Sequence, residues 1–89
     1  MTPDLTAPGY VVFRDPGYTD DQLAALKDGS TAALRNSATG LMLVAYASYD
    51  KATKASVELQ VLGCERASLC EHREGAISTL KRWQRELGL

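Results

Sequence analysis

The most constraining feature of this chain is its last segment, where one apolar stripe runs at helical spacing. Leu69, Ala76, Ile77, Leu80, Trp83 and Leu87 share a face, with Glu74, Lys81, Arg82 and Arg85 off it. Ser68-Leu69-Cys70-Glu71 has the capping-box pattern, so the helix is expected to start there, and Gly88 is placed to close it. Basic residues crowd the final turns, where the helix dipole favours them. Such a helix needs an apolar surface to lie on, and an 89-residue chain has to supply it within one domain. Trp83 is expected to be the largest single contributor to that core.

Upstream, residues 1–9 hold Pro3, Pro8 and Gly9 with little to bury and read as a flexible N-terminal arm, which leaves residues 10–89 as the domain. Tyr10-Val11-Val12-Phe13 is a short β-branched and aromatic run that fits a strand, or an extended arm that pairs with a neighbour. In Asp15-Pro16-Gly17-Tyr18 the glycine follows the proline, as a type II turn requires. Thr19-Asp20-Asp21-Gln22 is a capping box opening a helix through Leu23 and Leu26. Asp28-Gly29 interrupts it, Ser30 can restart it, and Gly40 ends it.

Residues 41–62 admit two readings. Val57-Glu58-Leu59-Gln60-Val61 alternates as a half-buried strand should, and Leu41 to Tyr49 is rich in strand formers. Together they make a hairpin with Tyr49 to Lys54 as its loop. The same stretch carries Ala45, Ser48, Ala52, Ala55, Leu59 and Leu62 at three-and-four spacing, which is a helical stripe of small residues. The hairpin is preferred. The expected fold is then α+β, a small three-stranded antiparallel sheet in the order β-α-β-β-α with helices on one face; a mostly helical bundle is the alternative.

Composition excludes several classes. The net charge is −1, with three basic and five acidic groups in residues 1–45 and seven against six in the remainder, so no strongly basic surface for coating nucleic acid is expected. The longest apolar run, Leu41 to Ala47, is too short to span a bilayer, and the N-terminus lacks a secretory signal pattern, so a membrane partner is not expected. Two cysteines do not make a disulfide framework, which suits a reducing cytoplasm.

No constellation for catalysis, metal or cofactor binding emerges. Cys64, Cys70 and His72 are the only ligand-type cluster, and their spacing departs from the close pairs of zinc sites. On a helix His72 points away from Cys70, and nothing is placed to orient it as a base. Phosphate-loop, dinucleotide and zinc-protease motifs are absent. The chain is therefore read as non-enzymatic, with no cofactor and no small-molecule substrate. Tyr10, Val12, Tyr46 and Tyr49 are the candidate protein interface, because tyrosine offers large contact area at low entropy cost. Lys81, Arg82 and Arg85 around Trp83 are candidate phosphate contacts.

The helix–hairpin–helix order expected from Thr19 to Leu87 is similar to that of the small head-to-tail joining proteins of tailed phages. The likeness lies in size and element order. It implies a compact, accessory-free subunit that lines a portal ring. The expected function is an assembly or adaptor subunit acting through a protein partner or its own oligomer; a small nucleic-acid-binding or regulatory domain using the basic C-terminal helix is the alternative.

Overall fold

The structure, a computed structural model, describes residues 8–87. Along the chain run β1 (Gly9–Arg14), α1 (Asp20–Leu26), β2 (Ser30–Asn36), β3 (Leu41–Tyr46), α2 (Tyr49–Val61), β4 (Ala67–Cys70) and α3 (Arg73–Glu86). The strands form one antiparallel sheet in the order β2-β3-β1-β4. The fold is α+β; the expected three-stranded sheet in β-α-β-β-α order is corrected to four strands in the order β-α-β-β-α-β-α, and the helical-bundle alternative is overturned.

β1 is a central strand. It pairs with β3 from Gly9↔Tyr46 to Arg14↔Leu41 and with β4 from Tyr10↔Cys70 to Phe13↔Ala67. The expectation of a loose arm therefore fails at Gly9, and the rest of the proposed arm, residues 1–7, lies outside the described residues. Its two edges are paired and its two faces are covered by helices, which is why Val11, Val12 and Phe13 are all apolar. The same holds for β3, Leu-Met-Leu-Val-Ala-Tyr, whose lack of alternation reflects two covered faces.

The helices cover both faces of the sheet rather than one. Val11, Phe13, Met42, Val44 and Tyr46 pack against α1 and α2 through Leu23, Leu26, Ala52, Ala55 and Leu59. On the opposite face Val12, Leu41 and Leu43 meet Ala76 and Trp83 of α3. Trp83 anchors this smaller layer, while Tyr46 and Phe13 are the largest side chains closed off completely. Alternate residues of one strand thus supply two separate cores, as the two-residue period dictates.

Several elements form where the sequence suggests. The Thr19 capping box is complete: Gln22 N donates to Thr19 Oγ1 at 3.2 Å, and Thr19 N donates to Gln22 Oε1 at 2.9 Å. Gly17 holds the positive φ of 113° expected after Pro16. Elsewhere tertiary context wins. Ser30 opens β2 instead of a second helix. Residues 41–62 divide into β3 and α2, so the Tyr49–Lys54 loop and the Val57–Val61 strand are corrected to helix, capped by Ser48 through Lys51 N at 3.3 Å. Ala52, Ala55 and Leu59 are buried members of the small-residue stripe. Small residues suit this helix because it lies close to the sheet: a Cβ on Gly9 would stand 2.6 Å from Ala52 Cβ and 2.9 Å from Tyr49 Cα.

The segment around Ser68 is also corrected. Pairing of Val12 with Ser68 and of Tyr10 with Cys70 draws residues 67–70 into β4. The last helix therefore starts four residues later than its capping-box pattern suggests, at Arg73, with His72 as an N-cap that makes no side-chain bond. Gly88, expected to close that helix, lies outside the described residues. No helix among the described residues is long and apolar enough to cross a membrane.

Candidate functional site

Two places on the molecule invite a functional reading: an open cleft at one end of the sheet and the exposed edge strand β2. The cleft, about 790 Å³, is rimmed by Arg14, Asp15, Arg35, Thr39, Glu65 and Arg66. Three arginines at one mouth suggest an anion site, but each has a partner. Arg14 Nε donates to Thr39 O at 3.0 Å, Arg35 Nη2 lies 3.2 Å from Asp15 Oδ2, and Arg66 Nη1 donates to Glu86 Oε2 at 2.6 Å. Arg66 also sits 5.2 Å over the Trp83 ring, a cation–π contact. The Asp15 carboxylate, 2% exposed, accepts from Gly17 N at 2.8 Å and Tyr18 N at 2.7 Å. Its guanidinium partner and backbone donors compensate the burial of this charge. The cleft is thus a set of ties between the β1–α1 turn, the sheet and α3.

Two phenols, Tyr18 on the turn after β1 and Tyr46 at the far end of β3, are held protonated at neutral pH. The Tyr18 hydroxyl is buried beside the Cys64 thiol, and desolvation, then that thiol, pushes it up to about 12. Burial pushes the Tyr46 phenol up to about 12 as well, while its hydroxyl donates to Leu26 O. Both phenols therefore remain protonated, and neither can serve as a base near pH 7.

The cysteines and histidine are not brought together. Cys64 packs against the α1–α2 core and Cys70 against the α3 core, on opposite faces of the sheet. His72 caps α3 on its own. Among the described residues no group of three or more His, Cys, Asp or Glu side chains is placed to hold a metal.

The four interface candidates separate in the same way. Val12 is fully buried and Tyr46 is 1% exposed, so both are corrected to core residues. Tyr10 and Tyr49 keep part of their surface. Lys81, Arg82 and Arg85 are all exposed on α3.

The feature missed in the sequence is β2. This strand forms one edge of the sheet, and residues 31–35 are exposed, Leu34 to 64%. Its register puts Leu34 on the α3 face, beside Leu43, and Ala33 on the α1–α2 face, beside Val44. Neither helical layer covers it, although Leu80 and Gln84 of α3 line a groove beside Leu34 and Arg35. The opposite edge, β4, is four residues long and packs against both α2 and α3. β2 thus presents a row of free backbone donors and acceptors that no helix covers. Natural edge strands usually avoid this with lysine, proline or brevity. Its defences here are one bulge at Thr31 and the single charge of Arg35, already tied to Asp15.

No protein-family model, curated protein or solved structure matches the chain.

Proposed function

We propose that the protein is a non-enzymatic assembly or adaptor subunit that works by protein–protein contact, with the outer edge of β2 as its docking strand. The observation that carries this reading is the contrast between the two sheet edges: β4 is short and covered, β2 is seven residues long and open. An incoming strand gains a ladder of backbone hydrogen bonds, and alternate side chains give it specificity. The hairpin joining two helical segments is β2–β3, upstream of the one expected from the sequence. An accessory-free subunit of a larger particle, as in the phage joining proteins, is one setting for such an edge.

The reading is tested by placing a photoactivatable phenylalanine analogue at Leu34 and, as a control, at Ser78 on α3. Adducts of discrete mass at Leu34 and none at Ser78 support a docking edge. Absence of adducts at Leu34, with the folded state verified by circular dichroism, overturns it.

A further inference from the structure

We propose that β2 pairs with β2 of a second copy of this chain, antiparallel, about a twofold axis that passes through Ala33. The proposal rests on the docking-edge reading and names its occupant. A twofold interface must be complementary to itself, residue i meeting j and j meeting i. The segment Thr31-Ala32-Ala33-Leu34-Arg35 has that property: its polarity reads the same in both directions, polar, apolar, apolar, apolar, polar. Rotation about Ala33 sets Ala33 against Ala33, Ala32 against Leu34 and Thr31 against Arg35 of the other copy.

Both faces of the extended sheet remain consistent under this operation. A twofold axis perpendicular to the sheet keeps each residue on its own face. Leu34 shares the α3 face with Leu43, and Ala32 shares that face through Ala45. Each Leu34, the most exposed residue of the strand that is also strongly apolar, is therefore covered on the α3 side by the small Ala32 of its mate. The charge pattern agrees. The one charged side chain of β2, Arg35, meets a neutral threonine, whereas in-register parallel pairing would set arginine beside arginine at a cost to the pair.

The extent of the contact fixes its strength. Between the bulges at Thr31 of the two copies, the regular ladder is Ala32 to Leu34 from each strand, about 10 Å. This is a small footprint beside the roughly 1,200–2,000 Å² buried by stable complexes. The bulge at Thr31 ends the regular segment, so the ladder cannot lengthen in that direction. The dimer is accordingly weak and reversible, with a dissociation constant in the micromolar range or above.

The axial position makes the test sharp, because any charge placed at residue 33 faces its own copy. Ala33 is exposed, so Ala33→Lys and Ala33→Glu leave both cores untouched. Sedimentation of the full chain from about 10 µM to about 1 mM, the range suited to a weak interface, should show wild-type protein passing from monomer to dimer. Each single variant should lose affinity by about tenfold or more, from like charges directly opposed. An equimolar mixture of the two variants at low salt should recover the dimer. Wild type that stays monomeric throughout overturns the proposal, as does a variant that dimerises unchanged or a mixture that recovers nothing. If wild type is monomeric while Leu34 still cross-links to another protein, self-pairing fails and the docking edge stands. If there is neither dimer nor adduct, both fail.

Discussion

The Tyr46 phenol gives a quantitative handle on the larger core. It lies at the end of β3, 1% exposed, with its hydroxyl donating to the Leu26 carbonyl at the end of α1. Burial raises its ionisation from the ordinary 10.0 to about 12. The folded state therefore holds the proton more tightly than the unfolded chain. Stability is fully present below pH 10, and falls as pH rises toward and through 12, because the unfolded chain releases its proton first. Two pKa units correspond to about 2.7 kcal/mol, of which about 1.4 is lost by pH 11. Against a total stability of about 5–10 kcal/mol for a domain this small, that loss is large. Urea unfolding followed by tryptophan fluorescence from pH 9 to pH 12 measures it. The control is Tyr46→Phe, which at pH 9 forfeits the bond to Leu26 at about 1–3 kcal/mol but has no proton to lose. The gap between wild type and variant should close as pH rises, and absorbance at 295 nm should show one fewer late-titrating phenol in the variant. A gap that stays constant to pH 12 would refute the assignment of the shift to Tyr46.

The remaining predictions concern separate parts of the fold. Trp83→Ala removes the anchor of the α3 layer and the platform for Arg66, and should cost about 3–5 kcal/mol in chemical denaturation. Gly9→Ala drives a methyl to 2.6 Å from Ala52 Cβ, so a loss of about 1–3 kcal/mol is expected in thermal melts; an unchanged melt would mean that α2 can move away from β1 freely. Asp15→Ala strands the Gly17 and Tyr18 amides and releases Arg35, for a loss of about 1.5–3 kcal/mol, while Asp15→Asn should recover part of it. Because Cys64 and Cys70 lie on opposite sheet faces, oxidation of the folded monomer should leave its intact mass without the loss of hydrogens that marks an internal disulfide.

Sequence patterns were informative where local chemistry decides structure. The Thr19 capping box and the turn at Gly17 are interactions among neighbouring residues, so they could be read from the chain and occur as read. The Tyr10–Phe13 run was legible as a strand, but its place in the middle of the sheet depends on partners at residues 41–46 and 67–70. The same long-range pairing explains the errors. Ser68-Leu69-Cys70-Glu71 satisfies the capping pattern, yet its backbone groups are taken by β1, and α3 begins only afterwards. Val57 to Val61 alternates by accident: Leu59 faces the core, while Val57 and Val61 are exposed to 53% and 77% on the outer side of α2. The docking edge was least visible of all. Ala32, Ala33, Leu34 and Arg35 are good helix formers, and β3 holds them extended against that preference. An open edge leaves no mark of its own, because what distinguishes it is the absence of neighbours.

The position of β1 also governs the order in which the molecule can be made. β1 precedes both of its neighbours in the chain, and β4 follows it only after α1, β2, β3 and α2, with Tyr10 meeting Cys70. Closing such distant pairs carries a loop-entropy cost that local hairpins escape. The β2–β3 hairpin can assemble from adjacent residues and offer β3 as a template, whereas Tyr10-Val11-Val12-Phe13 waits, apolar and unpaired, until β3 and β4 follow it. Folding should therefore be slow for a chain of this length. Its vulnerable interval is the time during synthesis when the sticky β1 segment has no sheet to enter.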